Sequence, residues 1–195
     1  MKEGCHMEVM EAIYHRRSVR AYTDQKVDRA TIETLIKAAV QAPSSMNEQP
    51  WAFGVIQNTK LLTQYSERIK AYVLRRLKPG SPLEKYRELL SDTNYHVFHQ
   101  AGTLVIICAR ADAHNGAEDC CLAAQNLMLA AHAMGLGTCP IGLARPRLNQ
   151  ARVKRDMGIA DQYAPVFPLV VGYPKGETAP VERKAPEILF WRESL

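Results

Sequence analysis

Hydrophobic positions at Ile32, Leu35, Ile36, Ala39 and Val40 recur three and four residues apart, the spacing of one buried helix face. Asp28 and Thr31 stand ahead of them as cap candidates. Pro43 closes the helix, because the residue before a proline avoids helical angles. WAFGVIQ then predicts a strand. Upstream, residues 7–15 predict a helix and RRSVRAY an extended segment. Downstream, residues 59–77 and 82–90 are polar amphipathic helices around the breaker KPGSP. TLVIICA, residues 103–109, is a continuous apolar run, as in a strand buried on both faces. From Glu118 to Met134 the chain is apolar nearly all round, which predicts a helix in the middle of the molecule. Glu118 and Asp119 suit the dipole of its first turn, and Gly135 and Gly137 end it. A short segment TCPIG follows, then a basic helix near 146–157. VFPLVVGYP is a further strand, whose Pro168 predicts an edge position or a bulge. No repeat, low-complexity tract or linker divides the chain. The expected architecture is one α+β domain over residues 1–195, with few strands and a central hydrophobic helix.

Composition narrows the function classes. The chain has 195 residues, 47% of them hydrophobic and 23% charged, an ordinary globular balance. No run of eighteen apolar residues predicts a membrane span. The charged N-terminus lacks the apolar stretch of a secretory leader, so the expected location is cytoplasmic. Five cysteines without a C-x-x-C pair read as reduced thiols, with Cys5 and Cys139 expected to be the exposed ones. The formal charge is +5, but the basic residues are dispersed and no aromatic residues interleave in the Arg75, Arg76, Lys78 patch. That argues against nucleic acid and is equally met by one anionic small ligand.

Three segments could carry chemistry. In HRRSVRAY an extended backbone points Arg16, Ser18 and Arg20 the same way, a good wall for a phosphate. The competing reading is a solvated basic turn. In QAPSSMNEQPW, Ser44, Ser45, Asn47 and Gln49 offer more hydrogen-bonding groups than a turn requires. A planar heterocycle with several ring carbonyls and nitrogens would use them. In GLGTCPIG the glycines allow a backbone to approach a ligand and Pro140 holds the loop open, although a glycine at a helix end is commonly just a cap. His96 and His99 could share a helical face, but no ligand set with metal spacing surrounds them, so no metal is expected. Neither G-x-G-x-x-G, a P-loop nor G-x-S-x-G occurs.

Taken in order, AIYHRRSVRAY, APSSMNEQPWAF, AAQNLMLAAHAMGLGTCPIG and the basic tail resemble the nitroreductase family of FMN-dependent oxidoreductases. The first two segments, at this separation, are the specific part of the match. Residues 59–95 match least and correspond to the variable helical region over the active site. The resemblance implies a swapped α+β homodimer, with a mixed or antiparallel central sheet flanked by helices and two FMN sites at the interface. It implies that Arg16 and Ser18 hold the flavin phosphate, with Arg17 nearby and Arg20 near the N1–C2=O edge. Pro43, Ser44, Ser45 and Asn47 would line the flavin from the other subunit, with Gln49 and Trp51 supporting that loop. Pro140 and Ile141 would pack on the ring, and a backbone N–H near Gly142 would meet N5. Longer relatives carry a glutamate in that loop, where this chain has Gly142 and Leu143. Arg183 and Lys184 are both candidates for a second phosphate clamp, and Asn94 for the pyrimidine edge.

The function implied is ping-pong hydride transfer from NADH or NADPH through flavin N5 to a nitroaromatic or quinone-like acceptor. The chemistry belongs to the flavin, and Arg20 would stabilise its reduced, anionic form. Two other readings stay open. A dehalogenase-like or flavin-degrading relative would draw on Tyr65, Tyr72, Tyr86, Glu84 and Lys85. A flavin-binding module without turnover would share the same wall.

Overall fold

The computed structural model of the protein describes residues 7–193. Its centre is a four-stranded, wholly antiparallel sheet made of β1 (Trp51–Ile56), β2 (Thr103–Arg110), β3 (Gly137–Pro140) and β4 (Tyr163–Gly172), in the order β1-β2-β4-β3. Two apolar layers cover it. Leu104, Ile106 and Cys108 of β2 join the layer of α3 (Thr59–Leu74), while Val105, Ile107 and Ala109 join that of α2 (Arg29–Ala39) and α5 (Gly116–Ala133). Alternate side chains of one strand therefore feed both layers. That is why TLVIICA is apolar throughout: helices bury both faces of an antiparallel strand.

The predicted α2 forms between its cap and its stop. The Asp28 carboxylate accepts the Thr31 N–H at 2.7 Å, and Ile32, Leu35 and Ala39 are buried. α5 packs against α2 and all four strands, as its all-round apolarity predicts. α1 (Val9–His15) lies on α5 and buries only Ala12.

Several expectations are corrected. Residues 82–90 form a 3-10 turn and the short α4 (Arg87–Ser91). The basic helix near 146–157 is two pieces, α6 (Arg145–Leu148) and α7 (Ala151–Asp156), broken at Asn149 and Gln150. Asn149 caps the break by donating to the Arg145 and Pro165 carbonyls. TCPIG supplies the edge strand β3, which is too short for sequence periodicity to show. β4 is an inner strand, so Pro168 marks no edge; the sheet instead carries a bulge nearby, where Ile107 faces Phe167 and Cys108 faces Pro165. Cys139 is buried in β3, and the exposed thiol is Cys121 on α5; Cys5 lies outside the described residues. His96 and His99 sit in a turn, not on a helix.

Candidate active site

RRSVRAY runs alongside the sheet edge as an extended ribbon. The Val19 N–H donates to the Thr138 carbonyl at 2.9 Å, the Thr23 N–H to Tyr173 at 2.9 Å and the Lys175 N–H to Ala21 at 2.9 Å. The ribbon is held close because two glycines face it. A Cβ on Gly137 would meet Val19 at 2.8 Å, and one on Gly172 would meet the Tyr22 ring at 2.8 Å. Gly137, expected to admit a ligand, serves this packing instead. Tyr22 is buried and donates to the Val19 carbonyl at 2.7 Å, which pins the turn of the ribbon.

Burying Val19 turns its neighbours outward. Arg16 and Arg17 line a cavity of about 320 Å³ with His15, His132 and Thr138 at the end of α5. The Thr138 Oγ1 and His132 Nε2 atoms are buried there without hydrogen-bond partners. Arg16 is held below the usual arginine range, first by burial and then by the positive charges of Arg183 and Arg17. The charge of Arg183 therefore reaches Arg16 within the same chain. Among the described residues, no carboxylate pairs with Arg16, Arg17, Arg20 or Arg183. Arg17 is steadied by donating to the Tyr14 and Arg16 carbonyls at 2.7 and 2.9 Å.

A second cavity, of about 560 Å³, opens from the same ribbon. Arg20, Pro140, Ile141 and Gly142 line it together. Cys139 lies at its base; burial raises its thiol pKa, while Arg20, Arg16 and a hydrogen bond with Ser18 oppose the rise. The Ile141 N–H is taken by the Pro168 carbonyl at 2.8 Å. Gly142 opens a 3-10 turn, so its own N–H has no partner within that turn. A Cβ at Gly142 would meet nothing within 4 Å, so this loop face is open.

The opposite wall belongs mostly to the 59–95 region expected over the active site, but of its residues sequence reasoning assigned Tyr86 alone a role there. It is built by Leu83, Tyr86, Leu89, Tyr95 and His99. Lys70, almost fully buried, donates to the Asp92 and Tyr95 carbonyls at 3.0 Å each and meets Glu67 at 2.9 Å, and so ties this wall to α3. His99 has φ 52°, a left-handed angle costly for a non-glycine residue. Burial, then Arg20 and His96, lower its pKa to about 4, so the ring is neutral at pH 7. Asn94 lies apart from Arg20, lining a neighbouring cleft of about 540 Å³ with Asp24, Thr59 and His96.

The QAPSSMNEQPW loop is strained and mostly self-bonded. Met46, Asn47 and Gln49 have φ of 50°, 55° and 47°. Ser44 Oγ accepts the Gln49 N–H at 3.0 Å, and the Gln49 side chain donates to Asn47 Oδ1 at 3.0 Å. Gln49 therefore supports the loop, as expected. Its anchor is Asp119, buried in the first turn of α5, whose Oδ1 accepts the Ser45 N–H at 3.1 Å. Sequence alone gives Asp119 only a dipole role; its link to Ser45 spans 74 residues and leaves no local signal.

The loop and the ribbon do not meet within one chain. The loop is tied to Asp119 at the start of α5, and Arg16 lies beside His132 at its end. Thirteen residues of α-helix separate those positions by about 20 Å.

A family model described as the nitroreductase family matches residues 13–173, which span ribbon, loop and β3. This chain belongs to the nitroreductase family. A putative NADH dehydrogenase/NAD(P)H nitroreductase of Archaeoglobus fulgidus is 30% identical, over 87% of each chain. The crystal structure of a nitroreductase with bound FMN from Bacteroides fragilis matches with a TM-score of 0.77 and 28% identity, covering 93% of this chain and 95% of that one. An iodotyrosine deiodinase bound to FMN and 3-iodo-L-tyrosine shares the fold, with a TM-score of 0.76 and 23% identity over 93% and 97% of the two chains. Nitroreductase-family proteins of this kind are oxidoreductases.

Proposed function

We propose that this nitroreductase-family protein is an FMN-dependent NAD(P)H oxidoreductase whose two sites are each built by two copies of the chain. The observation that carries the reading is the uncompensated ribbon: among the described residues Arg16, Arg17 and Arg20 lack carboxylate partners, and they open onto two cavities, with the charge of Arg183 bearing on Arg16. The residues fit the cofactor. Arg16, Arg17 and Arg183, with the orphaned Thr138 hydroxyl, suit a phosphate. Arg20, Pro140 and the open face of Gly142 suit a flat ring. FMN, when bound, supplies two-electron transfer between a nicotinamide and an acceptor in alternating half-reactions. Arg20 holds positive charge where reduction places negative charge. Leu83, Tyr86 and Leu89 give the cavity an apolar wall that suits flat acceptors such as nitroaromatics and quinones. Asn94 would need to reach across from its neighbouring cleft.

A second copy is required because α5 keeps the Ser44–Asn47 loop about 20 Å from the ribbon of its own chain. The surface agrees. Val9, Met10, Ile13 and Tyr14 of α1 are exposed, Met46 is 91% exposed, and Ile188 to Trp191 stand exposed on an extended tail. Such apolar surface mostly marks an interface. The tail is the element we assign to exchange between copies.

Tyr86 is the one residue of the dehalogenase-type set that lines the Arg20 cavity. Tyr65 is buried in the core, Tyr72 faces Arg76 and Glu84 pairs with Arg87 at 3.6 Å. The reductase reading is therefore favoured. Its test is an absorption spectrum followed by anaerobic NADH and NADPH titration. Flavin bands that bleach, and return on adding a quinone, support it; bands that persist with both nicotinamides overturn it.

A further inference from the structure

A fourth cavity, a cleft of about 470 Å³, lies between α3 and α6, away from the ribbon. Arg68, Arg75, Arg76 and Arg147 line it. Among the described residues, none of the four pairs with a carboxylate. Glu67 also lines the cleft, but its charge is engaged by Lys70 at 2.9 Å. Four uncompensated like charges on one concave surface repel one another, and an anion removes that cost. Two of the arginines are held in place. The Arg76 guanidinium lies 3.8 Å from the centre of the Tyr72 ring, and that of Arg147 lies 5.6 Å from it. Arg147 also donates to Gln150, while its Nε is buried without a partner. Pre-positioned guanidinium forks with spare donors suit a phosphate dianion.

The cleft is close to the open loop of the active site. From Gly142 at that cavity to Arg147 the chain runs through a 3-10 turn and α6, a rise of about 8 to 10 Å. A dinucleotide with its nicotinamide in the Arg20 cavity spans such a gap.

We propose that this cleft is a phosphomonoester site that takes the ribose phosphate of NADPH, making the protein selective for NADPH over NADH. The proposal rests on the reading of the protein as a nicotinamide-dependent flavoenzyme. Steady-state rates of the flavin-loaded protein test it, with Arg76→Gln and Arg147→Gln as variants. The expected wild-type kcat/KM for NADPH exceeds that for NADH by at least about tenfold, the worth of one well-made charged contact. Each variant lowers the NADPH value and leaves the NADH value unchanged, which also shows that the fold is intact. No wild-type preference, or a preference untouched in both variants, overturns it. Calorimetry with 2′,5′-ADP against 5′-AMP decides the matter without turnover. Tighter 2′,5′-ADP binding that is lost in Arg147→Gln supports the site even if neither nicotinamide reduces the flavin. Equal affinities, or binding of inorganic phosphate with no gain from the 2′-phosphate, overturn it and give the cleft to a different phosphorylated ligand.

Discussion

At the scale of single residues, Arg20 and His99 set the charge of the cavity. Arg20 places a fixed cation in the cavity proposed for the flavin ring, and its charge helps keep His99 neutral. Replacing Arg20 with Leu removes roughly 1 to 3 kcal/mol of stabilisation from the reduced flavin, which is a fall of about 20 to 60 mV in a two-electron potential. Spectroelectrochemistry of the bound flavin measures it, and an unchanged potential separates Arg20 from the flavin ring. His99 gives a pH dependence. Its folded pKa of about 4 lies below the ordinary 6.5, so the unfolded chain binds more protons between those values. Stability from the neutral ring is complete above pH 6.5 and is lost as pH falls towards 4. His96 is shifted the same way, mainly by burial. Urea unfolding at pH 7 and pH 5 should therefore show a smaller loss in His99→Gln than in wild type; equal losses contradict the assignment.

At the scale of elements, position depends on close approach. Gly137→Ala drives a methyl into Val19 at 2.8 Å, whereas Gly142→Ala enters open space. The first should cost about 1 to 3 kcal/mol and release flavin, since the ribbon carries Arg16, Ser18 and Arg20. The second should leave the urea midpoint unchanged. Paired denaturation and flavin-content measurements check both. Asp119→Ala should free the Ser44–Asn47 loop at a cost of about 1 to 3 kcal/mol, with flavin retention as the sensitive readout. The elements that could be foreseen were those with strong local signals. α2 carries its cap and stop in sequence, and the buried β2 and α5 show their environment by apolarity. What stayed hidden depends on contacts between distant segments. β3 has four residues and no usable period. The service of Gly137 to Val19, and of Asp119 to Ser45, spans gaps that local pattern cannot express. The cavity wall from Leu83 to His99 is foreseeable mostly as a region, and by residue only at Tyr86.

At the scale of the whole molecule, the proposed site divides each chain into two half-sites at opposite ends of α5. The resemblance implies an exchange between copies, and the length of α5 supplies a physical reason for the proposed one. Truncation after Gly176 removes the exposed apolar tail and should convert a dimer into monomer, as read by sedimentation. The most direct measurement mixes two defective chains. One carries Arg16→Glu and Arg183→Glu in the phosphate wall; the other carries Ser44→Trp in the loop. Each alone should form dimers that bind no flavin. After joint unfolding and refolding, a mixed dimer pairs one intact wall with the other chain's intact loop. The account predicts that about a quarter of wild-type flavin returns, one site in each mixed dimer with random pairing. No recovery from a mixture that contains mixed dimers would contradict a site shared between copies.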